Sequence, residues 1–285
     1  MLTVLEAIRL STDYLDKKGI ESPRTNAELL LASILNCDRL KLYMSFERPL
    51  SEIEKQSYRE LIQRRGKFEP LQYITGKTDF YGAEFDISPD VLIPRPETEF
   101  IIEALVSRLD NGAPLRILDI GCGSGVIPVT LARFFKNAEI KSIDINPSAL
   151  QCAKKNASKM NVEEMITFEL LDILSPEAEN SINGHDIIIS NPPYVSQKEF
   201  SKLQEEIVKY EPRLAVTDEG DGLTFYRRIS ALASAKLNSG GMLVFEMGMG
   251  QSEEIKRMFE QHGFSNIEII KDLQKIDRII LGRKL

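Results

Sequence analysis

Few folds accommodate the run Leu115-Arg116-Ile117-Leu118-Asp119-Ile120-Gly121-Cys122-Gly123-Ser124-Gly125, followed directly by the apolar stretch 126–135. It reads as a short buried strand, a glycine turn and a helix. That is the opening of a nucleotide-binding βαβ unit, in which glycines let the backbone approach a ligand. Two further acids stand at the ends of apolar runs downstream. Residues 140–145 read as a strand carrying Asp144, and residues 166–171 as another that leads into Asp172-Ile173. With residues 186–190 and 241–245 they give the strand–helix alternation of a parallel sheet. Residues 267–271 and 278–281 are separated by too few residues for a helix, so an antiparallel hairpin at the sheet edge is expected there.

The strand around Ile187-Ile188-Ile189 delivers Ser190-Asn191-Pro192-Pro193-Tyr194 at its carboxyl end, where open α/β sheets bind ligands. Each of these residues suits a planar group bearing an NH2. Asn191 offers a neutral acceptor oxygen, and Pro192, without an N–H, presents only its carbonyl. Pro193 restricts Pro192 to extended conformations, and Tyr194 adds a flat face. Asn-Pro-Pro is also an ordinary loop opener, so the stretch gains weight from the glycine turn rather than alone.

The turn itself is similar to the D-x-G-x-G-x-G turn of S-adenosylmethionine enzymes. A dinucleotide-binding turn would carry glycine or alanine where Val126 stands. Pro70-Leu71-Gln72-Tyr73-Ile74-Thr75-Gly76, Leu92-Ile93-Pro94-Arg95-Pro96-Glu97-Thr98-Glu99 and Glu211-Pro212-Arg213-Leu214-Ala215 extend the likeness over nearly the whole chain. The sequence resembles the class I S-adenosylmethionine-dependent methyltransferases, and more closely the peptide chain release factor glutamine methyltransferases, the HemK/PrmC family. The resemblance implies an α/β fold with a Rossmann-like, mostly parallel seven-stranded sheet and a small N-terminal helical bundle. It implies S-adenosylmethionine as cofactor and N5 of the glutamine in the Gly-Gly-Gln motif of class I release factors as methyl acceptor. Asn191, Pro192 and Tyr194 are then catalytic and, with Pro193, bind the substrate. Gly121, Cys122, Gly123, Ser124 and Gly125 contact the methionine and ribose portions of the cofactor, and Asp144 holds the ribose hydroxyls. Asp172 and Ile173 hold the adenine, and Asn191 also belongs to the cofactor site. In many family members an aromatic residue stands where this chain has Ile173, which can cover a ring without stacking on it. Glu97 and Thr98 are further candidates for the methionine end.

The Asn-Pro-Pro-Tyr motif is shared with N6-adenine methyltransferases of DNA and RNA, so an adenine target is a rival reading. A non-catalytic protein-binding module on the same fold is another. A net charge of -7 lacks the basic footprint of a nucleic-acid binder, and no direct nucleic-acid partner is expected. Cys37, Cys122 and Cys152 form no C-x-x-C pair, which suits reduced thiols in a cytoplasmic protein. Cys122, with no base beside it, reads as a small turn residue. No metal site is expected from only two histidines, His185 and His262, which read as surface or boundary residues. No apolar run approaches membrane-spanning length.

Residues 1–75 read as helices and are expected to form a substrate-recognition domain acting on the release factor. Residues 76–92 are expected as a linking β-hairpin and 93–285 as the methyltransferase domain, the whole acting as a monomer. Within the first segment Leu5, Ile8, Tyr14 and Leu15 mark one apolar face, and Ser22-Pro23 suits a helix cap and first position. Ser51-Glu52-Ile53-Glu54 is a capping box. Arg64, Arg65 and Lys67 read as a solvated helix end. The segment carries 12 Lys and Arg against 11 Asp and Glu, a mixed surface more suited to protein docking than to gripping nucleic acid.

Overall fold

The computed structural model describes residues 1–285 as two compact units. The first comprises Met1–Lys77 together with Gln204–Tyr210, and the second comprises Thr78–Leu203 with Glu211–Leu285.

The first unit is helical, with helices Val4–Lys17, Pro23–Leu35, Arg39–Met44, Glu52–Arg65, Leu71–Thr75 and Glu205–Tyr210. The helices Val4–Lys17 and Glu52–Arg65 both start on capping boxes. Thr3 and Glu6 close one, and Ser51 and Glu54 the other, each satisfying two otherwise orphaned backbone donors. Val4, Ile8, Leu15, Leu30, Leu31, Leu42 and Ile62 pack into one core, each full burial being worth about 1.5–3 kcal/mol. Three expectations fail here. Leu5 and Tyr14 are 41% and 37% exposed, because Val4, Ala7, Ile8 and Leu15 already fill the inward stripe of the helix. Ser22 makes no side-chain cap, since its backbone is left-handed at φ 49°. Arg65 is buried rather than solvated. Its Nε donates to Asn26 Oδ1 at 2.7 Å, and its Nη1 to the Glu69 carbonyl at 3.0 Å and to Glu206 Oε2 at 2.8 Å. Arg65 thus ties the returning segment 204–210 into the bundle. Arg65→Ala strips the donors from a buried amide and a carbonyl, and is expected to cost about 3 kcal/mol. Urea unfolding and limited proteolysis at residues 204–210 check this; an unchanged midpoint with unchanged cleavage would contradict it.

From the last residue of the first unit onward, β1 (Lys77–Phe80) and β2 (Ala83–Asp86) form a hairpin. Tyr81 and Gly82 both have positive φ, 47° and 72°, as a two-residue type I′ turn demands. The main sheet contains β3 (Arg116–Ile120), β4 (Glu139–Asp144), β5 (Ile166–Leu170), β6 (His185–Ser190), β7 (Leu237–Glu246), β8 (Phe264–Lys271) and β9 (Asp277–Lys284). Its order is β5-β4-β3-β6-β7-β9-β8. The five strands from β5 to β7 are parallel, and β9 runs antiparallel to both β7 and β8.

The unbroken Ile187-Ile188-Ile189 run follows from burial on both faces. Ile187 and Ile189 join Ile117, Met242 and Val244 under the helices Glu99–Val106 and Val126–Phe134. Ile188 joins Leu118, Leu243 and Phe245 under Thr224–Lys236 and Ser252–Gln261.

His185, expected at the surface or at an element boundary, is the first residue of β6 and is 5% exposed, with no partner for Nδ1. Burial, reinforced by Arg116 and Lys141 and opposed by Asp186, pushes it down from 6.5 to about 4. The unfolded chain therefore takes up this proton first as pH falls. The stability this residue contributes is present above about pH 6.5 and is lost progressively toward pH 4, amounting to on the order of 3 kcal/mol. His185→Gln should unfold with a flatter acid dependence than the parent chain. Parallel pH curves for the two proteins would refute the assignment.

Candidate active site

The strand order reverses at β3, with β4 and β5 on one side and β6 and β7 on the other. Ligands of open α/β sheets sit at the carboxyl ends of strands at such a point, and here a cavity of about 690 Å³ opens. Gly121, Gly123, Asp144, Ile145, Asp172, Ile173, Asn191, Pro192 and Pro193 are in its wall.

The glycine turn divides its labour. A Cβ on Gly121 or Gly123, both at positive φ, would meet no atom within 4 Å; their open faces leave room for a ligand. Gly125 serves packing instead, since its Cβ would lie 2.9 Å from that of Ala153. Cys122 is buried against Leu150 and Ala153, and burial holds its thiol well above the ordinary range. Ser124 is buried too, and its carbonyl accepts from Asn156 Nδ2 at 2.8 Å. Asn156 also bonds the Asp86 N–H and carbonyl, both at 2.8 Å, stapling the turn to β2. Cys122, Ser124 and Gly125 therefore shape the turn without being in the cavity wall.

Asp144 ends β4 and spans the turn. Its Oδ2 accepts from the Gly123 N–H at 2.9 Å and its Oδ1 from the Asn146 N–H at 2.8 Å. Each oxygen keeps a further lone pair, enough for a pair of ribose hydroxyls. Asp172 Oδ1 accepts from the Leu174 N–H at 2.8 Å, which holds the loop after β5, and Ile173 presents an apolar wall. Open backbone, an acid for hydroxyls, a second acid and flanking isoleucines together fit S-adenosylmethionine.

Asn191, Pro192 and Pro193 follow β6 directly into the cavity wall. Tyr194 is not in that wall. Its hydroxyl donates to Glu246 Oε1 at 3.4 Å and its carbonyl accepts from Gln251 Nε2 at 3.0 Å, so it anchors the loop. Thr98 is likewise away from the cavity. It accepts from Asn191 Nδ2 at 3.2 Å and donates to Glu246 Oε2 at 2.6 Å. Glu97 lies 3.9 Å from Arg278. The two proline-bearing motifs meet through Arg95, whose Nη2 donates to the buried Glu211 at 2.5 Å.

Two acids beyond the expected set stand out. Glu246, fully buried at the end of β7, is pushed up to about 7 by burial and by Glu97, against the Thr98 hydrogen bond. Asp119 is pushed up to about 7 by burial and by Asp144, against its Ser142 hydrogen bond of 2.6 Å. A charged residue closing an apolar strand was the available signal for Glu246.

Residues 6–76 match the family model of the PrmC N-terminal domain, and residues 98–223 that of the methyltransferase small domain. The chain is 38% identical over 281 residues to the release factor glutamine methyltransferase of Geobacter sulfurreducens, covering 99% of this chain and 96% of that one. It is 38% identical to that of Koribacter versatilis, covering 99% of each. The enzyme of the same description from Bacillus subtilis is 36% identical, with 98% and 97% covered. Among solved structures, a methyltransferase from Pyrococcus furiosus matches with a TM-score of 0.52 at 18% identity, over 72% of this chain and 90% of that one. The hMettl16 catalytic domain in complex with the MAT2A 3'UTR hairpin 6 matches with a TM-score of 0.55 at 18% identity, over 71% and 76%. These two structural likenesses establish the fold alone.

Proposed function

The chain belongs to the release factor glutamine methyltransferase family, and from this we propose that it methylates the side-chain amide nitrogen of the glutamine in the Gly-Gly-Gln motif of class I release factors. Gly121, Gly123, Asp144, Asp172 and Ile173 would hold S-adenosylmethionine, which would supply the methyl activated on its sulfonium.

The observation that carries this reading is the pair of neutral acceptors in the wall of one cavity with the glycine turn and Asp144. An amide nitrogen is a poor nucleophile because its lone pair is delocalised. Asn191 Oδ1 and the Pro192 carbonyl accept its two N–H groups and turn the lone pair toward the methyl group. They also favour the positive charge that develops on nitrogen during transfer. Pro193 stiffens the Pro192 carbonyl, and Tyr194 anchors the loop from below. No dedicated base is needed, because the methylated, protonated amide is acidic enough to lose its proton to water.

Kinship over the full chain favours glutamine over adenine, and the intact glycine turn and Asn191 favour an enzyme over a passive binding module. In this reading residues 1–75 recognise the factor, 76–92 link, and 93–285 carry the chemistry, in a cytoplasmic monomer. No helix is long and apolar enough to cross a membrane. Incubation with labelled cofactor and either purified release factor or adenine-containing nucleic acid, followed by mass spectrometry, tests the proposal. Label on the Gly-Gly-Gln glutamine is the expected result, and label on adenine or on neither would overturn it.

A further inference from the structure

Asn191 has two ends, and only one of them can accept a hydrogen bond from an amide NH2. If its carboxamide were rotated by half a turn, Nδ2 would face the substrate and oppose it, donor against donor. The backbone does not decide between the two orientations, because Asn oxygen and nitrogen are nearly equal in size.

What decides it lies behind the cavity. We propose that Glu246, acting through Thr98, sets the orientation of the Asn191 carboxamide and so keeps Oδ1 turned to the substrate. This rests on the acceptor role given to Asn191 above. An ionised Glu246 has no hydrogen to give, so each of its bonds must be a received one. Thr98 has a single hydroxyl proton, and at 2.6 Å it is committed to Glu246 Oε2. The Thr98 oxygen is then left only as an acceptor toward Asn191 at 3.2 Å. That acceptor selects Nδ2, and Oδ1 becomes the end left for the cavity. The polarity of the whole line is fixed from one buried carboxylate, with both Thr98 and Glu246 at most 3% exposed.

A protonated Glu246 would undo this. Its own O–H could donate to Thr98, freeing the Thr98 proton for Asn191, and both orientations of the amide would become available. The groups around Glu246 are Thr98, Tyr194 and Glu97, with Arg278 opposing the effect of burial, while the Tyr226 hydroxyl donates to the Glu246 backbone carbonyl at 2.9 Å. Burial pushes Glu246 up to about 7, so the line of bonds tightens as pH rises through neutrality. Glu246 and Thr98 are positioning residues in this account; neither is in the cavity wall.

The test is steady-state methylation of intact release factor by the full chain across pH, with cofactor affinity and melting temperature measured in parallel. Thr98→Val, which cannot accept from Asn191, is expected to lower kcat about 30-fold while the cofactor Kd stays within about twofold. Thr98→Ser, which keeps the hydroxyl, should restore most of the rate. Glu246→Gln can present either end to Thr98, so it should lower kcat and remove the limb on which the parent enzyme gains activity with rising pH. Thr98→Val at parental kcat, or Glu246→Gln retaining the parental pH profile, would overturn the proposal. Asn191→Ala separates the layers. If it also retains parental kcat, the acceptor role itself fails; if it is slow while Thr98→Val is fast, only the line through Glu246 fails.

Discussion

Asn191→Asp is expected to slow methylation of a release factor about a thousandfold at saturating cofactor, comparable to the loss of one preorganised group at a developing charge. The substitution is nearly isosteric and still places an oxygen toward the cavity, so packing does not explain the loss. Two effects do. A carboxylate favours a cationic amine over a neutral amide, and it has no N–H for Thr98. The single Thr98 proton is engaged with Glu246 at 2.6 Å, so an aspartate at 191 would face a bare oxygen where Asn191 Nδ2 now sits at 3.2 Å. It must gain a proton or swing away, and either outcome spoils the aim of the substrate nitrogen. Single-turnover kinetics with labelled cofactor measure the effect. A variant that methylates at the parental rate would remove the acceptor role from Asn191.

Asp144→Ala is expected to weaken cofactor binding about a hundredfold, roughly 2.7 kcal/mol. In the proposed reading the aspartate receives the ribose hydroxyls, and it holds the turn through the Gly123 and Asn146 N–H groups at 2.9 and 2.8 Å. Removing it leaves two donors without their partner and loosens the backbone that must lie against the ligand. Asp144→Asn should fall between the two, since an amide oxygen can take one of those bonds but carries no charge. Isothermal titration with S-adenosylmethionine separates this from catalysis, because the rate at saturation should change by only a fewfold. An unaltered Kd in Asp144→Ala would show that the ribose is held elsewhere.

What could be read from the chain was what is local in sequence. The glycine turn, the acids closing β4 and the loop after β5, and the Asn-Pro-Pro run each announce themselves within about ten residues, because strand, turn and ligand-facing residue are consecutive. Five parallel strands and an edge hairpin follow from the same alternation. The order of strands in the sheet does not, since it depends on contacts made only after folding. Thr98 and Glu246 are 148 residues apart, so nothing local in the sequence shows that the Thr98 hydroxyl is bonded to β7. The partners of Tyr194, Glu246 and Gln251, are likewise remote from it in sequence. The burial of Arg65, and how deeply His185 sits at its strand boundary, are not legible locally, because local polarity argues for solvent. Their burial comes from Asn26, Glu69 and Glu206 around the one, and from the packed start of β6 around the other. Leu5 and Tyr14 err in the opposite direction: apolar residues on a helix already full on its inner stripe stay outside.

The short passage of chain from Gln204 to Tyr210 counts with the helical unit, although it is flanked on both sides by residues of the sheet unit. A seam of this kind cannot be cut with one stroke. An exchange of modules between relatives that swaps only residues 1–77 would confront Glu206 with a foreign helix, and would strand Tyr210, whose hydroxyl donates to the Lys67 carbonyl at 3.0 Å. A working hybrid has to carry the heptapeptide along with the bundle, so inheritance of the helical unit is tied to seven residues encoded more than a hundred codons downstream.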